Sequence, residues 1–266
     1  MASVRIFSYL PNPRLYKATI ASRINGVVLD IRGARPAELK DWLWDFDAHP
    51  LTDVERADQS TLRIAKKGFS GGIHKTDNFL AAQPFGNVPA AFSGDGKVGI
   101  FESNSILRIV GRLGQDVCAL YGEDPYAATR IDSFLDVSLN FAVESQKYLF
   151  SFADLDKLAD CHASMATAYE TYMQGMDRAL TNSRFIAGDT LTLADIAFVC
   201  EFALFALERH ESAKLAKVNC EPLFDNVATE CERAHEHIKF LLAESAFLPD
   251  LTPFFDDMTM KKAYGM

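Results

Sequence analysis

The chain has 266 residues, 48% of them hydrophobic and 24% charged, and a formal net charge of -9. That length accommodates one large or two modest domains, each with its own core. The acidic balance argues against nucleic acid, whose affinity comes from phosphate neutralisation by basic side chains, and against an anionic membrane surface. Five cysteines, Cys118, Cys161, Cys200, Cys220 and Cys231, show no C-x-x-C spacing, which argues against a disulfide framework, a zinc site or a dithiol redox motif. The first residues carry no basic segment ahead of a long apolar run. The most apolar stretch, Ile196 to Leu207, is interrupted by Glu201 and is too short to span a bilayer. A reducing cytoplasm is the expected compartment.

Taken in chain order, Val4 to Tyr9 reads as a strand, and Leu10-Pro11-Asn12-Pro13 breaks it with two prolines. Leu15, Ala18, Ile20, Ala21 and Ile24 keep near-helical spacing, and Asn25-Gly26 ends that helix because both residues tolerate the left-handed conformation. Val27 to Ile31 is a second strand, so a parallel βαβ unit is expected. The connection from Arg32 to Ala82 is long for an α/β unit. Leu39 to Phe46 and Asp53 to Lys67 read as short helices there, with Gly68, Gly71 and Gly72 marking a flexible link.

Ala90-Ala91-Phe92, the turn Ser93-Gly94-Asp95-Gly96 and Lys97 to Phe101 carry a strong hairpin signal. Ile106, Leu107, Ile109, Val110 and Leu113 then follow a helical pattern ended by Gly114. After Gly122 to Pro125 the strand signals stop. Tyr126 to Phe152, Leu158 to Leu180, Leu193 to Arg209 and Phe224 to Ala243 read as helices, and the tail holds Phe254, Phe255, Met258 and Met260 as apolar packing surface. The boundary is expected near residue 120, with an α/β domain over 1–120 and an all-α domain over 121–266.

Three segments, in this order, resemble the glutathione-transferase family: Phe85-Gly86-Asn87-Val88-Pro89, Glu102-Ser103 after the hairpin, and Phe185 to Asp195, which is similar to the family's "F-L-x-G-x-x-x-T-x-A-D" segment. Leu10-Pro11-Asn12-Pro13-Arg14 and Phe101-Glu102-Ser103-Asn104 resemble the transferase-like domain of elongation factor 1B gamma and its fungal and bacterial relatives. The resemblance covers nearly the whole chain apart from the Arg32 to Ala82 connection. It implies a thioredoxin-like α/β first domain, an all-α second domain, and glutathione as the bound thiol.

Each motif has its own chemistry. A cis bond before Pro89, which the resemblance implies, turns the main chain of Val88 toward an extended peptide, and an X-Pro bond takes that form at modest cost. Ser103 opens a helix, where free N–H groups and the positive dipole end favour a carboxylate, and Glu102 can accept from a neighbouring ammonium. A plain helix cap is the alternative for Ser103. Thr192-Leu193-Ala194-Asp195 has capping-box spacing and reads as structural. The thiol-activating group is the open point. The family places a Tyr, Ser or Cys near the end of the first strand. Here that loop holds Ser8, Tyr9, Asn12 and Arg14, with no hydroxyl at its tip. Tyr9 can belong to the core. Asn12 can donate to a thiolate but cannot act as a base, and Arg14 adds positive charge. Asn12 with Arg14 is the expected pair, with Tyr9 as a further candidate.

No metal is expected. His235 and His237, two apart, do not share a helix face, and Asp45, Asp47 and His49 read as a solvated surface. His74-Lys75 can reach the glycine carboxylate of glutathione or lie in an exposed loop. The functional expectation is a transferase in which glutathione thiolate attacks an apolar or aromatic electrophile, lined by Phe141, Tyr148 and Phe152. Cleavage of β-aryl ethers of lignin-type aromatics is a narrower form. A non-catalytic assembly subunit of the elongation-factor gamma type is the alternative, and the expected pairing is a homodimer or a heterodimer with a paralogue.

Overall fold

The computed structural model describes residues 3–65, 71–224 and 231–255. The chain forms two compact units, residues 1–114 and 115–266. In the first, strand β1 (Val4–Tyr9) leads into helix α1 (Pro13–Asn25) and strand β2 (Leu29–Ala34), which runs parallel to β1 with Ile6 opposite Ile31. Pro13 at the start of α1 has no amide hydrogen to leave unbonded, and Gly26 closes the helix at φ 75, a conformation without penalty for glycine. Gly33 (φ 153) is needed for close approach: a Cβ there would stand 1.8 Å from the Ser8 carbonyl oxygen.

The long connection is not two helices and a link. A 3-10 turn at Pro36–Asp41 leads into β3 (Trp42–Trp44), β4 (His49–Pro50), the short helix α2 (Asp53–Ala57), β5 (Leu62–Ile64), β6 (Gly72–Lys75) and helix α3 (Asp77–Ala82). The four strands make a second sheet in the order β4-β3-β6-β5. The helix expected over Leu39 to Phe46 is therefore replaced, after the turn, by a strand. Leu43 and Trp44 pair in parallel with His74 and Lys75, and the Trp44 ring packs edge-on against Phe7 (5.5 Å) and Phe79 (5.9 Å). That aromatic burial, with Leu39, Ile73, Ala90 and Phe92, forms one core under both sheets. The helix expected over Asp53 to Lys67 shortens to α2, capped by Thr52 and Glu55, and Gly72 opens a strand. Lys66, Lys67 and Gly68 lie outside the described residues.

Strands β7 (Ala90–Ser93) and β8 (Gly99–Phe101) form the expected hairpin and complete the first sheet, order β2-β1-β7-β8. Helix α4 (Ser103–Leu113) follows, burying Ile106, Leu107 and Val110. It is held to α1 by Asn25, whose amide donates to the Val110 carbonyl at 2.9 Å.

The second unit is helical: α5 (Pro125–Ser151), α6 (Leu155–Ala179), α7 (Leu193–Phe205), α8 (Ser212–Lys217), α9 (Glu232–Ala243) and α10 (Leu248–Leu251), with a 3-10 turn at Ala206–His210 ending the run that starts at Leu193. All thirteen residues of α7 are buried, so this helix is the centre of the unit. Of the expected Phe224 to Ala243 helix, residues 225–230 lie outside the described residues, as do Met258 and Met260 of the tail, whereas Phe254 is buried. Among the described residues no helix is long and apolar enough to cross a membrane.

Candidate functional site

Register places three segments at one end of the first sheet. Strand β1 ends at Tyr9, with Phe7 opposite Ala90, the first residue of β7. Ala90 is in turn opposite Phe101, the last residue of β8. The loop from Leu10 to Asn12, the Val88-Pro89 segment and Glu102-Ser103 therefore all leave the sheet from the same end. Ends of strands, where loops and helix N-termini converge, are where α/β units bind ligands.

The Val88-Pro89 peptide bond is cis, as is Leu10-Pro11. The main chain of Val88 makes no hydrogen bond to any described residue, so its N–H and C=O are available to an extended peptide. The loop ahead of it is braced from two sides. Buried Gln83 accepts from the Phe85 and Gly86 amides at 2.8 and 3.2 Å and donates to the Asn87 carbonyl at 3.0 Å. Lys75 donates to the Gly86 carbonyl at 2.5 Å and sits 4.5 Å from the centre of the Trp44 ring. Burial lowers the Lys75 pKa. His74, in contrast, is buried and bonded through Nδ1 to the Thr61 hydroxyl at 2.8 Å. Of the His74-Lys75 pair, then, only Lys75 stands at the loop.

Glu102 and Ser103 open α4. Glu102 is exposed, its side chain has no partner among the described residues, and its backbone is left-handed at φ 66, ψ 127. That conformation costs a non-glycine residue about 1–3 kcal/mol. Ser103 is buried, and its N–H, in the first turn of α4, has no partner among the described residues. Its hydroxyl receives a hydrogen bond from Lys17 of α1 at 3.2 Å, and the same ammonium donates to Asn104 Oδ1 at 2.7 Å. Lys17 has no exposed surface. Sequence reading missed it: Lys17 lies inside the helical pattern of α1, and its only signal was a charged residue between the buried positions Leu15 and Ala18. The Glu102 strain gives a testable split. Glu102→Gly is expected to raise stability by about 1 kcal/mol while weakening ligand binding. Urea unfolding beside ligand titration checks it, and a loss of stability would contradict the strain argument.

The remaining expectations about the loop need correction. Asn12 is fully buried as the N-cap of α1: its amide oxygen accepts from the Arg14 N–H at 3.0 Å, and its NH2 donates to Ser8 Oγ at 3.0 Å. The amide is committed to the cap and to Ser8 and has no exposed surface. Tyr9 packs its ring against the core of the first unit. Arg14, half-buried in the first turn of α1, keeps a cation near the loop. Phe141, Tyr148 and Phe152, expected against the electrophile, are buried. They are core residues of the second unit: Phe141 stacks on Tyr172 at 4.5 Å, and Tyr148 donates to Glu208 at 2.7 Å. Among the described residues no group of three His, Cys, Asp or Glu side chains gathers to hold a metal. Asp47 pairs with Arg5 and Arg32, His49 with Glu55, and His237 with Asp195.

Comparison with known proteins finds relatives of two kinds. Elongation factor 1-gamma 1 of Oryza sativa subsp. japonica is 31% identical over 143 residues, covering 52% of this chain and 33% of that protein. Glutathione S-transferase F9 of Arabidopsis thaliana is 31% identical over 140 residues, covering 47% of this chain and 61% of that one. Glutathione transferase F2 of Populus trichocarpa superposes with a TM-score of 0.60 at 18% identity, over 95% of this chain and 99% of that one. The chain is glutathione-transferase-like in sequence and in fold. No family model matches it. The glutathione-transferase-like match spans a third of the elongation factor and 61% of the F9 transferase. A further relative, the glutathione S-transferase-like protein FUS3 of Gibberella moniliformis, is 22% identical over 72% of each chain. A glutathione S-transferase of Methylobacillus flagellatus solved with GSH bound superposes at a TM-score of 0.64, 12% identity, over 93% of this chain and 98% of that one.

Proposed function

We propose that this protein binds glutathione at the end of the first sheet and transfers it to an apolar or aromatic electrophile. One observation carries the reading: the main chain of Val88 and the Ser103 N–H at the start of α4, both without a partner among the described residues, and the exposed Glu102 carboxylate leave the same end of one sheet. They match an extended γ-glutamyl tripeptide group by group. The Val88 N–H and C=O pair with the cysteinyl backbone. The Ser103 N–H and hydroxyl take the γ-glutamyl carboxylate, favoured by the α4 dipole, and Glu102 accepts from the adjacent ammonium. Lys75, anchored at Gly86, supplies a cation for the glycyl carboxylate.

A free thiol has a pKa of about 8.5, so the reaction needs the thiolate favoured. With Asn12 committed to its cap, Arg14 and the positive end of α1 are our assignment for that role. The thiolate attacks the electrophilic carbon, a carbon–sulfur bond forms, and the bond to the leaving group breaks with its electron pair. In the narrower form the leaving group is the phenolate of a β-aryl ether. The resemblance also carries a second reading, a non-catalytic assembly subunit or scaffold of the elongation factor 1B gamma type.

Calorimetric titration of the chain with reduced glutathione tests the proposal. Saturable binding is expected, weakened roughly tenfold or more in Ser103→Ala, since a hydrogen bond to a charged group is worth about 1.5–3 kcal/mol. Absence of binding at millimolar glutathione would remove the transferase reading and leave the scaffold. Phenol release from an aryl ether in the presence of glutathione tests the narrower form.

A further inference from the structure

We propose that Lys17 is a positioning residue that makes the start of α4 select a carboxylate, by fixing which way the Ser103 hydroxyl points. This deepens the glutathione reading and rests on it. A serine hydroxyl has one hydrogen to give and two lone pairs to offer, and rotates to suit its surroundings. Left alone it would serve a donor or an acceptor equally well. The Lys17 ammonium has only donors, so at 3.2 Å it makes Ser103 Oγ the acceptor of that bond. The hydroxyl hydrogen is then left for an acceptor other than Lys17. Beside it stands the Ser103 N–H, a second donor without a partner among the described residues. Two donors on one residue, at the positive end of an eleven-residue helix, suit the two oxygens of a carboxylate.

Lys17 is also well placed to hold this orientation. It has no exposed surface, and its 2.7 Å bond to Asn104 Oδ1 restricts where the ammonium sits. The first two residues of α4, Ser103 and Asn104, are thus tied by one cation from α1. Because the residues lie 86 positions apart, this preorientation belongs to the folded state alone.

Two ligands separate this role from a structural one: glutathione, and the analogue in which 4-aminobutyryl replaces the γ-glutamyl group, so that only the carboxylate at issue is missing. The native chain is expected to bind glutathione roughly tenfold more tightly than the analogue. Lys17→Met is expected to lose that preference, with glutathione binding weakened and analogue binding changed less than twofold. Lys17→Arg, which also offers only donors, is expected to keep most of it, and it serves as the working variant should Lys17→Met fail to fold. A structural role would lower both affinities together and leave their ratio unchanged. A ratio preserved in Lys17→Met, equal binding of the two ligands by the native chain, or a preference lost in a folded Lys17→Arg, would overturn the assignment of Lys17. No glutathione binding by the native chain would instead overturn the functional reading on which it stands.

Discussion

Replacing Asp195 by alanine is expected to destabilise the second unit by about 3–5 kcal/mol, the cost of removing one partner from a buried, fully bonded polar cluster. The Asp195 side chain has no exposed surface. Its carboxylate accepts four hydrogen bonds: from the Ile186 N–H, the Thr192 N–H, the Thr192 hydroxyl, each at 2.9 Å, and His237 Nε2 at 2.8 Å. The bond from the Thr192 N–H completes the capping box that starts α7, the Thr192 hydroxyl adds to it, and the other two tie in the turn at Ile186 and helix α9. Alanine would leave those donors buried with nothing to meet. Asparagine would turn an NH2 toward donors and should recover little. Urea unfolding, read as a change in midpoint at constant slope, measures the loss. A change under about 1 kcal/mol would mean that the carboxylate only caps a helix and does not join three segments.

The second large effect is expected at Glu208, in the 3-10 turn after α7. Its carboxyl group is fully buried and receives the Tyr148 hydroxyl at 2.7 Å and the Leu223 and Phe224 amides at 3.0 and 2.6 Å. Glu208→Gln keeps the shape but sets an NH2 against one of those N–H groups. A loss of about 2–3 kcal/mol is expected. Burial lifts the Glu208 pKa above its ordinary value, against three hydrogen bonds that pull it down. The sign follows: a carboxyl raised in the folded state contributes stability that is complete below the unfolded value, about 4.3, and is lost as pH rises through the folded value. The native chain should thus lose some of its advantage over Glu208→Gln as pH rises from about 4.3 toward neutrality. An advantage that grows with pH would reverse the assigned direction and make the hydrogen bonds the stronger influence.

Legibility in the sequence followed the range of the interactions. The hairpin of β7 and β8 was readable because an Asp-Gly turn between apolar runs decides it within a dozen residues. Helix α1 was readable from its spacing and from Asn25-Gly26. The stretch from Leu39 to Phe46 was not, because Trp42, Leu43 and Trp44 suit a buried helix or a strand equally by periodicity. What makes them a strand is parallel pairing with His74 and Lys75, some thirty positions away, and the aromatic core against Phe7 and Phe79. Phe141, Tyr148 and Phe152 had the residue types of a substrate wall, and only packing against Tyr172 and Glu208 shows that they are core.

The same division runs through the candidate site. By itself the sequence determined that Val88 precedes a proline, that Glu102 and Ser103 stand between a strand and a helix, and that Thr192 and Asp195 have the spacing of a cap. These depend on neighbours a few residues apart, whose chemistry is local. Only the tertiary structure decided that Asn12 is left with no exposed surface, that Glu102 is held at a positive φ, and that Lys17 lies against Ser103. Whether a polar side chain is satisfied, strained or buried depends on atoms brought from elsewhere in the chain, and no spacing along the sequence encodes that.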